Sequence, residues 1–457
     1  MNETKFSTLA LSDEMLANLN ELGYKEMTPV QAEALPPVLE GKDVIAQAKT
    51  GSGKTAAFGL GVLTKLQVKK FRIQTMILCP TRELADQVAK ELRRLARATH
   101  NVKILSLCGG SAFGPQLGSL RHGAHIIVGT PGRIHEHLKK GSLNLEDMDT
   151  LVLDEADRML DMGFIEEIEN IIAFAPTDRQ TLLFSATFPE EISSLSQSIQ
   201  KDAISIKTVS TESKNKITEH FLGTDANDKL STLINILGKY EPETTIVFAN
   251  TKIECQEMAD KLRKRSIDAL AIHGDLEQYE RNDVLVQFSN GSCSILIATD
   301  VAARGLDIKD LAMVVNYDIP YDESTYTHRI GRTGRAGNEG LAFTLFTNDQ
   351  LRHADEYQNG TRVFDDATSL KTFKNFSIKP PNVTLVIEGG KKDKMRPGDI
   401  LGALTGDAGL KGSSIGKIDI YERQSYVAIN RKDILEAHKQ LQKGRIKNKK
   451  FSVWILE

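Results

Sequence analysis

The sequence predicts an α/β chain: two parallel-sheet lobes of similar size, then a smaller α+β domain at the C-terminus. Three observations carry this. Short, near-continuously apolar runs alternate with amphipathic stretches from about residue 40 to residue 345. The alternation pauses in the polar segment KTVSTESKNKI, 207–217, and then restarts. A second polar junction, marked by Pro380 and Pro381, precedes a basic C-terminal segment.

The runs read as buried strands. In the first lobe they are MILCP (76–80), KILSLC (103–108), HIIVG (125–129), TLVLDE (150–155) and TLLFSAT (181–187). In the second they are TIVFAN (245–250), SILIATD (294–300) and MVVNYD (313–318). Strands apolar on both faces, separated by helical stretches such as ELADQVAKELRRLARA, indicate a parallel sheet covered on both sides. The C-terminal segment reads strand (384–388), helix (398–406), strand (417–421), strand (426–429), helix (433–442), strand (451–456). That βαββαβ order is the topology of an RRM-type RNA-binding sheet. The expected divisions are 1–208, a linker at 209–216, 217–365, a linker at 366–381, and 382–457.

Length and composition agree with this plan. A chain of 457 residues is too long for one core and points to about three domains. Apolar residues at 40% and charged residues at 26% are ordinary for a soluble globular protein. The four cysteines, Cys79, Cys108, Cys255 and Cys293, have no CxxC spacing, which argues against zinc and disulfide frameworks and for a reducing cytosol. A polar N-terminus without a signal pattern, and no apolar run of membrane-spanning length, lead to a cytoplasmic expectation with no membrane partner. Net charge is −3, but residues 380–457 carry 15 Lys+Arg against 9 Asp+Glu, and the remainder 43 against 52. A basic module on an acidic body suggests that the tail meets a polyanion; a merely solvated basic surface is the competing reading.

AKTGSGKT at 48–55 follows the apolar segment DVIAQ. It is a relaxed G-x-x-x-x-G-K-[ST] loop with Ala48 at the first Gly position. Backbone N–H groups of Gly51, Ser52, Gly53, Lys54 and Thr55 can wrap a phosphate at a helix N-terminus. Lys54 is the candidate for the β/γ phosphates and Thr55 for Mg²⁺. LVLDEAD at 151–157 ends a core strand in adjacent carboxylates. Asp154 is the candidate Mg²⁺ ligand and Glu155 the group that polarises the attacking water.

At DEAD the sequence resembles the DEAD-box RNA helicases of superfamily 2, over nearly the whole two-lobed body. The resemblance implies RecA-like lobes, ATP and Mg²⁺. GYKEMTPVQ (23–31) resembles the Q motif, with Phe6 seventeen residues before Gly23. It implies that Tyr24 stacks on adenine and Gln31 reads its edge. PTREL (80–84), GG (109–110) and TPGR (130–133) resemble RNA-facing motifs, implying Thr81, Arg82, Gly110, Thr130 and Arg133 as contacts. SAT (185–187) resembles the segment that couples hydrolysis to strand separation. ATDVAARGLD (298–307) and HRIGRTGR (328–335) imply Thr299 on RNA, Asp307 on the ribose, and Arg332 and Arg335 as arginine fingers. His135 and His137 form no ligand set and are read as surface residues.

From about residue 383 the chain resembles the RNA-binding domain of the bacterial DbpA-type subgroup, in GGKKDKMRPGDILGALTGDAGL, IGKI and GRIKNKKFSVWIL. The resemblance implies docking on a hairpin of large-subunit ribosomal RNA, a role in large-subunit assembly, and a pre-ribosomal particle as partner of a monomeric enzyme. The strand RQSYVAI has Tyr426 as its one aromatic, so base stacking on the sheet face is not expected. Lys391, Lys392, Lys394, Arg396 and the 443–450 cluster are the candidate contacts, on structured RNA. Three functions stay open: local duplex unwinding, an ATP-gated RNA clamp on which a complex assembles, and, less favoured, a DNA helicase.

Overall fold

The structure, a computed structural model, describes residues 4–48, 51–208, 217–303, 308, 311–334, 339–373, 375–407 and 409–456. The expected linker 209–216 lies outside them. The chain divides into two compact units, one holding the first of three sheets and the other the second and third.

In the first unit β1 (Val44–Gln47), β2 (Thr75–Leu78), β3 (Ile104–Leu107), β4 (Ile126–Gly129), β5 (Thr150–Asp154), β6 (Gln180–Ser185) and β7 (Ile204–Lys207) form one sheet in the order β3-β4-β2-β5-β6-β1-β7. Every pairing is parallel, and Val152 of β5 stands between Ile77 and Leu182. Alternate side chains feed two cores. Ile77, Val152 and Leu182 pack with Phe58 and Val88 on one face, and Met76, Leu151 and Leu183 with Ile134 and Ile168 on the other. Two covered faces are why these strands read as continuous apolar runs. Loops at the carboxyl ends of β1, β5 and β6 carry the P-loop, DEAD and SAT sequences, where open α/β sheets hold ligands.

The second unit repeats the plan with β8 (Ile217–Gly223), β9 (Thr245–Phe248), β10 (Ala269–Ile272), β11 (Ile295–Ala298), β12 (Met313–Asn316), β13 (Gly340–Phe346) and β14 (Val363–Asp366). Their order is β10-β11-β9-β12-β13-β8-β14, again with parallel pairings.

The third sheet is antiparallel. It holds β15 (Asn382–Ile387), β16 (Ile415–Ile420), β17 (Ser425–Asn430) and β18 (Val453–Ile455) in the order β16-β17-β15-β18. Helices at Pro397–Gly402 and Ile434–Lys443 complete the βαββαβ chain order. Leu385, Ile387, Val427 and Ile429 pack under these helices against Ile400, Leu404, Ala437 and Leu441.

The opposite face of this sheet is covered as well. Val386 and Tyr426 pack on Val286 of the helix Gln278–Ser289. The Tyr426 hydroxyl donates to Asp283 at 2.7 Å, and Asn290 Nδ2 donates to Thr384 Oγ1 at 2.9 Å. Arg431 pairs with Asp268 at 3.2 Å. Tyr426 is 4% exposed, so this part of the sheet face is spent on packing inside the chain, whereas Trp454 of β18, paired with Val386, stays exposed.

Candidate functional site

The phosphate loop begins with backbone that only glycine adopts readily. Gly51 and Gly53 have φ of 85° and 93°, and Gly53 caps the helix Lys54–Lys65. A Cβ at Gly53 would strike the Gln31 amide. Gln31 fills that space itself: its Nε2 donates to the Gly53 carbonyl at 3.1 Å, and its Oε1 accepts from the Thr28 N–H at 2.9 Å. Gln31 therefore ties its helix, Pro29–Leu39, to the loop. Phe6 is buried and meets Tyr24 edge-on at 6.0 Å; the Tyr24 hydroxyl donates to Glu91 at 2.6 Å.

Among the described residues, Ser52 Oγ, Lys54 Nζ and Asp154 Oδ1 are buried around this loop with no hydrogen-bond partner. Buried polar groups are almost always satisfied, and an ammonium is strongly penalised when it is not. An orphan cation, hydroxyl and carboxylate around a helix N-terminus fit a phosphate with its divalent cation. Burial, with Glu155 alongside, pushes the Asp154 carboxyl up to about 7, and Lys54 opposes that rise. A cation at Asp154 would relieve the penalty.

Glu155 follows the end of β5 at φ 54° and ψ 53°, in the left-handed region. Its carboxylate pairs with Arg158 at 2.7 Å, both side chains being almost fully buried. Asp157, which the sequence reading passed over, links DEAD to SAT. Its Oδ2 accepts from the Thr187 N–H and hydroxyl, each at 2.9 Å, and its own N–H donates to Ser185 Oγ at 3.2 Å. Its position in the DEAD pattern was the available signal.

A second group of residues lies along loops of the same unit. The hydroxyl of Thr81 accepts from the Leu84 N–H at 3.3 Å and caps the helix Arg82–Leu95. Gly110 has φ 69°, and a Cβ there would overlap the Arg82 guanidinium. Thr130 Oγ1 accepts from the Gly109 N–H at 3.5 Å. Arg133 reaches the Ser111 carbonyl at 3.0 Å. The structure thus brings Arg82, Gly110, Thr130 and Arg133 into one neighbourhood. His135 and His137 are corrected: both are buried, His137 completely, because they face inward from the helix Pro131–Lys139.

In the second unit Arg329 is the organising cation. It forks onto Asp300 at 2.7 and 2.6 Å, donates to the Asp318 carbonyl at 2.9 Å, and reaches Asn250 Oδ1 at 3.2 Å. It lies in HRIGRTGR, where the expected fingers are its neighbours Arg332 and Arg335. Arg332 is 5% exposed, and Thr299 Oγ1 accepts from the Ala302 N–H at 3.4 Å. Asp307 and Arg335 lie outside the described residues.

On the C-terminal sheet domain, Lys391, Lys392 and Arg396 are exposed on a loop braced from below. The Lys391 and Lys392 N–H groups donate to the Tyr421 and Glu422 carbonyls at 2.9 and 3.0 Å. Lys447, from the second basic cluster, donates to the Lys394 carbonyl at 2.9 Å, which joins the two clusters.

Residues 28–195 match the DEAD/DEAH box helicase family, 228–337 the helicase conserved C-terminal domain, and 384–455 the DbpA RNA binding domain. The chain is 51% identical to the ATP-dependent RNA helicase DbpA of Escherichia coli, over 99% of this chain and 100% of that one. It is 42% identical to the DEAD-box ATP-dependent RNA helicase CshA of Geobacillus kaustophilus, over 85% and 81%. Among solved structures, S. cerevisiae Dbp5 bound to RNA and ADP BeF3 matches with TM-score 0.70 and 30% identity, over 79% of this chain and 95% of that one. Mss116p bound to ssRNA and AMP-PNP matches with TM-score 0.72 and 28% identity, over 80% of each. The chain belongs to the DEAD-box ATP-dependent RNA helicases, among those that carry a DbpA RNA-binding domain.

Proposed function

We propose that this helicase unwinds or remodels short RNA duplexes next to a structured RNA held by its C-terminal domain, and that the structured RNA is a large-subunit ribosomal hairpin. The observation that carries the targeting is the burial of Tyr426 on the sheet face. With Tyr426 turned onto Asp283, base stacking on that residue is closed, and an exposed basic surface is the Lys391–Arg396 loop with Lys447 beside it. Such a surface suits backbone and shape recognition of a folded RNA. The ribosomal target rests on the subgroup resemblance, as do the pre-ribosomal particle as partner and a cytoplasmic monomer.

In this reading Lys54 and the N–H groups of Gly51, Ser52, Gly53 and Thr55 bind the ATP phosphates. Phe6, Tyr24 and Gln31 form the adenine end, and Asp307 meets the ribose. Thr55 and Asp154 would hold Mg²⁺, which neutralises phosphate charge when bound. Glu155 accepts a proton from the attacking water, and Arg332 and Arg335 stabilise charge on the transferred phosphoryl group. RNA engages Thr81, Arg82, Gly110, Thr130 and Arg133 on one lobe and Thr299 on the other. An RNA that binds both lobes favours closure and so stimulates hydrolysis. Asp157 passes the change at DEAD to Thr187 of SAT.

Strand displacement on matched RNA and DNA duplexes, each joined to a ribosomal hairpin, tests this. ATP-dependent displacement of RNA with fast release is expected. Displacement of both duplexes alike would contradict RNA selectivity. ATP-dependent binding with slow release and no displacement would favour the clamp.

A further inference from the structure

Behind the TPGR loop lies a polar cluster of which Arg133 alone has been given a role. Arg133 is its centre, with a side chain only 11% exposed. Its Nη1 donates to Gln116 Oε1 at 2.9 Å, its Nη2 to the Ser111 carbonyl at 3.0 Å, and its Nε meets Glu136 at 3.1 Å. Gln116 is the branch point. Its Nε2 donates to the Cys108 carbonyl at 2.8 Å and to Ser111 Oγ at 2.7 Å. Its Oε1 also faces His137 Nε2 at 3.0 Å. His137 Nδ1 meets Ser142 Oγ at 2.8 Å, and the imidazole stacks on Phe113 with centroids 4.1 Å apart. Lys140 Nζ stands 4.2 Å from the centre of the Phe113 ring.

The chemistry of the cluster sets its proton positions. An amide oxygen accepts only, so His137 Nε2 donates to Gln116; Ser142 Oγ lies beside Nδ1 and donates to the His137 carbonyl at 3.0 Å. Burial, then Arg133, lowers the His137 pKa, which favours the neutral ring. A largely buried guanidinium and a buried imidazole carry a desolvation cost that plain apolar packing would avoid. What the cluster supplies is orientation. One amide side chain grips Cys108 and Ser111, on the two sides of Gly109 and Gly110, and the same side chain aims Arg133.

The geometry points to Gln116 and His137 as positioning residues for RNA binding, acting through the Arg133 guanidinium and the Gly109–Gly110 loop. This rests on the RNA-facing reading of that loop and of Arg133.

The test is RNA-stimulated ATPase of the full chain against RNA concentration, for Arg133→Ala, Gln116→Leu, the double variant, His137→Phe and His137→Gln. Gln116→Leu is expected to raise the half-saturating RNA concentration about tenfold, with kcat within about twofold, the size of a lost hydrogen bond to a charged group. Arg133→Ala should add little in the double variant, because both act as one unit. His137→Phe keeps the ring and its stacking and should weaken RNA binding; His137→Gln keeps a donor and should restore it. Nucleotide affinity and thermal midpoint report folding, and Gln116→Leu, at a partly exposed site, carries the test if His137→Phe fails to fold. Normal RNA dependence in Gln116→Leu beside a defect in Arg133→Ala overturns the inference and leaves the RNA reading of Arg133 standing. Full additivity in the double variant also overturns it. A defect in Gln116→Leu with none in Arg133→Ala removes Arg133 from the RNA reading and supports Gln116 acting through the loop.

Discussion

Glu155 sits at φ 54°, where a side chain with a Cβ costs on the order of 1 kcal/mol or more. Its buried pairing with Arg158 holds it there. That combination makes its carboxylate a fixed acceptor at the end of β5. Glu155→Gln keeps the size and loses the base, so ATP turnover should fall by at least about a hundredfold while ATP-dependent RNA binding remains. Single-turnover hydrolysis beside nucleotide-dependent RNA binding checks this, and full turnover would remove the assigned role. Gly110 makes a separate residue-scale prediction. Gly110→Ala strains φ and displaces Arg82, so RNA affinity should drop about tenfold with nucleotide affinity unchanged. Glu254 sets a pH dependence. Burial and its hydrogen bond with Asp318 push its carboxyl from 4.5 up to about 7, while Lys229 and the Asn250 N–H help keep Asp318 ionised. The folded chain thus holds a proton that the unfolded chain releases. This contribution is full below 4.5 and is lost as pH rises through 7. The thermal midpoint should fall across that window, and Glu254→Gln should flatten the fall; equal slopes in both proteins would exclude Glu254 as its source.

At the scale of elements, what the sequence made legible was what lies close along the chain. Leu151, Val152 and Leu153 running into Asp154 and Glu155 marked a buried strand with carboxylates at its end, and β5 runs Thr150–Asp154. The two glycines before Lys54 marked a loop entering a helix, and φ at Gly51 and Gly53 shows why. What stayed illegible depends on partners far apart. Asp157 meets Thr187 across 30 residues, Arg329 meets Asp300 across 29, and His137 meets Gln116 across 21. Two histidines four positions from polar helix neighbours look like surface until the segment that buries them is known. Tyr426 and Asp283, 143 residues apart, are a further case: the lack of other aromatics in RQSYVAI was visible, the helix lying on that face was not. Removing the hydroxyl gives a sharp test. Tyr426→Phe should cost about 1 kcal/mol of protection in hydrogen exchange along Gln278–Ser289 and Ser425–Asn430. Hairpin affinity should not change, and a large loss of it would show that RNA uses the sheet face.

On the scale of the molecule, one chain joins an ATP-driven core to a basic recognition surface carried on the same compact unit as its second parallel sheet. Deleting residues 380–457 would expose Val286 and leave Asn290 without Thr384, so truncation would confound targeting with damage to the lobe beneath. Charge reversal on the exposed loop, Lys391→Glu with Lys392→Glu, avoids that. ATPase rate should be measured for the full chain and this variant against no RNA, generic RNA and large-subunit ribosomal hairpins. The expected result is strong stimulation by one hairpin, lost in the variant, with the generic response retained and the salt slope of hairpin binding lower by about one per lysine. Equal stimulation by every RNA in both proteins would contradict targeting by the C-terminal domain.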